Sequence, residues 1–109
     1  MTSQRTVAVE APVEPLIAPV RLISDHRLEF RRVALDALER AAEAGASAVE
    51  VDMSACVELD ASGLGVLVLL QKRARERDLN TRLLHVTRPV RLMIAITRLE
   101  SLFEFEPKA

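Results

Sequence analysis

The sequence predicts a small α/β domain, and three observations carry that expectation. Short segments alternating apolar and polar residues recur along the chain, longer segments between them place apolar residues at helical spacing, and single glycines and prolines stand at the joints. Strands alternating with helices argue for a mixed sheet with helices packed against it, not a sandwich or a bundle. At 109 residues, half of them apolar, the chain suits one compact domain.

Residues 6–10, TVAVE, alternate like a short strand, but Pro12, Pro15 and Pro19 follow and cannot donate to a ladder. Residues 1–18 are therefore read as an edge strand plus an irregular connection, and residues 19–109 as the domain proper. Residues 20–23, VRLI, form a second short strand. Ser24 or Asp25 can then cap a helix whose Leu28, Leu35, Leu38 and Ala42 share one face. Gly45 is a natural stop for it.

Residues 48–53, AVEVDM, read as a strand that runs into a polar cluster. From Gly63 a helix carries Leu64, Leu67, Val68 and Leu70 and then turns into KRARERD, a pattern buried early and exposed late. Lys72, Arg73, Arg75 and Arg77 have the sign that suits its C-terminal end. Residues 81–86, TRLLHV, are a further strand. Thr87 offers a capping hydroxyl and Pro89 a first-turn proline to a last helix, with Val90, Met93, Ile94 and Thr97 on its inner face. The apolar segment from Leu99 to Phe105 ends in an edge strand, which makes the order β-β-α-β-α-β-α-β.

Charge and composition exclude several function classes. Fifteen basic and sixteen acidic residues leave a net charge of -1, too little to steer the chain toward nucleic acid or an anionic membrane. Three phenylalanines without Tyr or Trp remove the stacking platforms of single-strand binders. No window approaches the roughly 18 apolar residues of a membrane span, and the N-terminus lacks a basic region followed by an apolar core. A cytoplasmic protein without membrane insertion is expected. Cys56 is the single cysteine, which excludes an intramolecular disulfide and reads as a small buried hydrophobe. His26 and His85 are isolated and have no metal-ligand spacing. No metal, cofactor or catalytic residue is predicted.

The cluster before the second helix, LDASGLG at residues 59–65, is the candidate site. It joins a strand to a buried helix, so Asp60 or Ser62 can accept hydrogen bonds from the free N–H groups of the first turn. Gly63 and Gly65 keep that turn bare, so another surface can approach the backbone. Ser62 is then either a helix cap or an exposed serine where a phosphate would be accommodated by the helix N-terminus. Enzyme motifs fail on residues: Asp60 stands where the G-x-S-x-G elbow needs glycine, and Val68 stands where G-x-G-x-x-G needs its third small residue.

The run from Val49 to Phe105 resembles the STAS domain, the module shared by anti-sigma factor antagonists and the cytoplasmic tails of sulphate transporters. VDMSACVELDASGLGVLVLLQKRARE is similar to the family's strand, D-[SA]-S-G-L-G loop and following helix. RPVRLMIAITRLESLFEF is similar to its last helix and short strand. The resemblance implies the STAS fold, a small mixed β-sheet with helices mainly on one face, and a regulatory, non-enzymatic role. The antagonists' phosphorylated serine falls on Ser62. The unmodified protein would bind an anti-sigma factor that is also a serine kinase, and phosphorylation would release it, with a phosphatase resetting the switch.

Asp60, Ala61, Ser62, Gly63, Leu64 and Gly65 are the implied partner-binding residues, Asp60 orienting the loop or the hydroxyl. Repulsion of the phosphate is expected to be reinforced by Glu43, Glu50, Asp52, Glu58 and Asp60, because residues 41–61 contain no basic residue. Residues 71–98 carry a net +6, from eight basic and two acidic residues, read as a solvated face or a docking surface for an acidic partner. Two positions depart from the antagonist pattern. Residues 23–29, ISDHRLE, replace a G-E-L-D-like turn that helps contact the kinase, and Arg98 replaces the glycine of T-G-L, at a cost on the order of 1 kcal/mol if it is left-handed. An alternative reading is a STAS subunit that docks, unphosphorylated, on the ATPase of a lipid-transport ABC complex.

Overall fold

A computed structural model describes residues 13–107. Its elements are β1 (Leu16–Ile17), β2 (Arg21–Leu22), α1 (Arg27–Glu43), β3 (Ala48–Asp52), β4 (Glu58–Leu59), α2 (Ala61–Glu76), β5 (Asn80–Leu84), α3 (Arg88–Ile96) and β6 (Glu104–Glu106), with 3-10 turns at Ser24–His26 and Glu100–Leu102. The main sheet has the order β1-β3-β5-β6, and β2 pairs separately with β4. The α/β class holds. Every ladder among the described residues is parallel, so the mixing expected in the sheet is not found there.

A strand order that advances in one direction, joined by right-handed crossovers, carries the helices over one face. Burial agrees with this placement. Val49 and Val51 on β3 and Thr81 and Leu83 on β5 face the helices and are buried. The opposite row, Glu50, Arg82 and Glu104, lies in cross-strand register. Arg82 bridges both carboxylates across that open face, at 2.9 Å to Glu50 and 3.1 Å to Glu104.

Several elements differ from expectation. The strand assigned to residues 6–10 lies outside the described residues. A two-residue strand, β1, appears instead in the stretch read as irregular and pairs with Val51 and Asp52. The strand at 20–23 keeps only two paired residues, because its partner β4 is equally short and was not expected. Ser24 and Asp25 do not cap α1; they form a 3-10 turn, and α1 starts at Arg27 without a side-chain cap.

The buried stripe of α1 is Phe30, Ala34, Ala37, Leu38 and Ala41. Of the expected face, Leu38 is buried, Leu35 and Ala42 are half-buried, and Leu28 is 68% exposed. At 3.6 residues per turn Leu28 lies about 140° round the helix from the stripe's centre. Small alanines face α2 and the sheet because they admit close helix packing, so the leucine spacing was a poor guide. Gly45 ends α1 with φ +73 and the hydrogen bonds Gly45 N–H to Ala42 O and Ala46 N–H to Ala41 O.

α2 buries Leu64, Leu67, Leu70, Gln71 and Ala74, while Lys72, Arg73, Arg75 and Arg77 are exposed, the expected gradient. Gln71 Oε1 accepts the buried Thr81 N–H at 2.9 Å and ties the helix to β5. In α3, Val90 and Ile94 are buried and Met93 half-buried, but Thr97 is exposed and closes the helix. Pro89 occupies the first turn as expected. Thr87 stands at the N-cap position without capping, because its hydroxyl donates to the Cys56 carbonyl at 2.5 Å.

Candidate functional site

Strands β2 and β4 run parallel, and the chain leaves β4 toward α2 while still held by the Asp60 N–H, which donates to Leu22 O at 3.3 Å. The first turn of α2 is thereby pressed against β2. A Cβ at Gly63 would stand 2.0 Å from Leu22 O, so only glycine fits there. Gly63 is therefore occupied by the chain's own backbone and is not a point of approach for a partner. Gly65 is different: it is exposed, and a Cβ there would meet nothing within 4 Å.

Asp60 is the N-cap, in extended conformation, and uses both carboxylate oxygens. Oδ1 accepts the Gly63 N–H at 2.8 Å, and Oδ2 accepts the Ser24 N–H at 3.0 Å. The Gly63 N–H holds this carboxyl below the usual carboxylate range, against a smaller effect of desolvation and with help from the Ser24 and Ser62 N–H groups. Since Asp60 caps, Ser62 does not need to. Ser62 is the second residue of α2, is half-buried, and its hydroxyl has no hydrogen-bond partner among the described residues.

The six residues singled out in sequence thus divide. Ala61, Ser62 and Gly65 reach the surface, Asp60 holds the turn, and Gly63 and Leu64 are buried. The acidic residues do not gather around Ser62. Glu50 pairs with Arg82 on the open sheet face, Asp52 accepts the Ser54 N–H at 2.9 Å, and Glu58 pairs with Arg21 at 2.9 Å. Glu43 closes α1, whose 17 residues carry it about 25 Å from the helix start. Asp60 is the carboxylate that the loop itself supplies.

Three of the basic residues of 71–98 are engaged within the chain, while Lys72, Arg73 and Arg75 are exposed together at the end of α2. Arg77 pairs with Glu39 at 2.6 Å, Arg82 lies in the sheet ladder, and Arg91 stacks on Phe105.

Sequence reasoning missed two exposed apolar residues at the start of the β2–β4 pair. Val20 and Val57 are 56% and 50% exposed, and the Val57 N–H donates to Val20 O at 2.9 Å. They flank the β2–β4 pair that delivers Asp60, and Leu28 is exposed just after the turn that Asp60 holds. A strand of two residues cannot display the alternation that would have marked these positions.

Burial raises the Cys56 thiol pKa, which makes it a poor nucleophile. Among the described residues no group of three His, Cys, Asp or Glu side chains could hold a metal, and no helix is long and apolar enough to cross a membrane.

A family model described as "Mlab, STAS domain" matches residues 17–104. Two solved structures are similar to this chain, each at 17% identity. The NMR structure of the protein TM1081 has a TM-score of 0.66 over 82% of this chain and 69% of that chain. The crystal structure of a candidate anti-sigma factor antagonist from Thermotoga maritima has a TM-score of 0.64 over 87% of this chain and 74% of that chain. At such identity the likeness is one of fold. Among curated proteins none matches the chain.

Proposed function

The chain belongs to the STAS domain family, and from that premise we propose that it is a phosphorylation-controlled binding module, an anti-sigma factor antagonist with Ser62 as its switch. The observation that carries the reading is the division of labour at the α2 N-terminus. Asp60 satisfies the Gly63 N–H, and the half-exposed Ser62 hydroxyl has no hydrogen-bond partner among the described residues.

In this reading the unmodified loop, with Ala61, Ser62 and Gly65 at its surface, docks on an anti-sigma factor that is also a serine kinase. The kinase transfers the terminal phosphoryl group of ATP to Ser62 Oγ. The hydroxyl proton is lost and ADP leaves. The phosphate adds about -1.5 to -2 charges at the second residue of a helix, where the helix N-terminus favours it within this chain. In the complex the same charge is desolvated opposite a surface built for a neutral hydroxyl. Asp60, already negative and beside it, adds to the repulsion, so the partner is released and a phosphatase restores binding.

A second reading rests on residues 23–29. In place of the antagonists' kinase-contacting turn, this chain has the 3-10 turn Ser24–His26, whose first N–H is held by Asp60. A constitutive subunit, docked on the ATPase of a lipid-transport ABC complex, would use Asp60 and this turn as a fixed brace.

Affinity capture from the native cytoplasm, with Ser62→Ala and Ser62→Asp as baits, separates the two readings. Capture of an ATP-binding serine kinase by the Ala bait, weakened at least about tenfold for the Asp bait, is the expected result, since a like or unpaired charge at an interface costs several kcal/mol. Equal capture of a transporter ATPase by both baits would overturn the switch and establish the subunit.

A further inference from the structure

Away from the Ser62 loop, a cavity of about 340 Å³ opens where β5 and β6 end. The volume falls in the range of small-molecule sites. Three features of its lining point the same way.

The first is Arg91 of α3. It is half-buried, lies 4.1 Å from the centroid of the Phe105 ring, and has no carboxylate within ion-pair distance among the described residues. Arg82, by contrast, is held by two. A guanidinium fixed on an aromatic face keeps its fork of donors in one orientation, ready for a planar anion.

The second is His85, which has φ 54. The other non-glycine residues with positive φ among those described, Asp78 and Arg98, end helices; His85 follows strand β5. Its N–H donates to Glu106 O at 2.8 Å, which fastens the strained residue across the two strand ends and leaves its imidazole on the cavity wall. Strain of this kind concentrates where a side chain is being aimed. The third feature is the remaining lining: Val86, Phe105 and Pro107 add apolar atoms to a wall that is otherwise polar, and Glu106 adds one carboxylate at the rim.

We propose that this cavity binds a small organic monocarboxylate with an apolar, flat or short-chain body. Arg91 receives the carboxylate, His85 supplies a second donor, and the body lies against Val86, Phe105 and Pro107. Glu106 selects against multiply charged anions, so inorganic phosphate binds less well than a singly charged acid of the right shape. Neither the site nor its ligand depends on the phosphorylation of Ser62.

Titration of the full chain, labelled with ¹⁵N, with benzoate and in parallel with inorganic phosphate tests the proposal. Saturable amide shifts centred on His85, Val86, Arg91 and Phe105 are expected with benzoate. Arg91→Gln should weaken them by about tenfold or more, the loss of a charge-assisted bidentate contact. Because Arg91 also covers Phe105, His85→Gly provides a second variant that relieves the left-handed side chain and removes only the imidazole, with a smaller loss of affinity expected. Shifts that do not saturate, phosphate binding as tight as benzoate, or unchanged benzoate affinity in both variants would each overturn it.

Discussion

Asp60 holds the backbone of Ser24, 36 residues before it in sequence, with one carboxylate oxygen while its other oxygen caps α2 through Gly63. The start of α2 and the entry to α1 are thus fixed by one side chain. Its removal should be felt in both places.

Asp60→Ala is expected to lower Tm by about 4–8 °C, the usual effect of a lost cap in a domain of this size. Asp60→Asn, which can still cap, should lose less. The two also differ in pH dependence. Asp60 has a folded pKa below its ordinary value of 3.8, so its stabilising effect is complete above that value and is lost as pH falls through the folded one. Thermal unfolding followed from about pH 7 down to about pH 2 should show the wild type converging on Asp60→Asn only in the acid range.

Gly63→Ala and Gly65→Ala, two residues apart in one helix turn, should have opposite effects. A Cβ at Gly63 would stand 2.0 Å from the Leu22 carbonyl, a backbone atom that cannot swing away. Overpacking of this kind should cost about 3 kcal/mol or more. At Gly65 the space is open, and alanine should add about 0.5–1 kcal/mol through helix propensity. Denaturant unfolding of both variants checks the pair. If a partner protein packs on the bare turn, Gly65→Ala will bind it less well while being the more stable protein, which separates recognition from folding.

The contrast between these glycines shows what the sequence could carry. D-A-S-G-L-G announced a strand-to-helix joint and the resemblance that goes with it, because capping residues and glycines act locally. That Gly63 faces Leu22 depends on the β2–β4 pairing, and strands of two residues leave no periodicity to read. The same limit hid Val20 and Val57. On α1, leucine spacing pointed to Leu28, whereas close packing put Ala34, Ala37 and Ala41 inside. Thr87 has a cap's place in the sequence, just before Pro89, but its hydroxyl is taken by Cys56 O, a contact across 31 residues. The cavity at Arg91 and Phe105 joins elements that are remote in the pattern of any single segment.

The buried pair of α2 and β5 yields a further test. Thr81 donates its N–H to Gln71 Oε1, while its own hydroxyl is buried without a partner among the described residues. Gln71→Leu strands the Thr81 N–H and should cost about 1–3 kcal/mol. Thr81→Val replaces an unpaired hydroxyl with a methyl group in the same volume. That exchange should be neutral or stabilising by up to about 1 kcal/mol, since no hydrogen bond is lost and desolvation is relieved. Equilibrium urea unfolding of the two single variants measures both values.

All three helices end in the same hydrogen-bonding pattern, but on different residues. After α3 the Leu99 N–H reaches Ile94 O at 3.2 Å and the Arg98 N–H reaches Ala95 O at 3.0 Å, with Arg98 at φ 60. After α2 the equivalent bonds come from Leu79 and Asp78, with Asp78 at φ 62, and after α1 from Ala46 and Gly45. The position requires a left-handed residue, which glycine adopts freely, Asp tolerates, and Arg adopts at a cost on the order of 1–2 kcal/mol. Arg98→Gly should therefore stabilise the protein by about 1 kcal/mol, Asp78→Gly by less, and Gly45→Ala should destabilise it by about 1 kcal/mol. The order of the three melting temperatures, rather than any one of them, is the decisive quantity. Were Arg98→Gly less stable than the wild type, the arginine side chain would have to be contributing contacts that outweigh its own backbone strain.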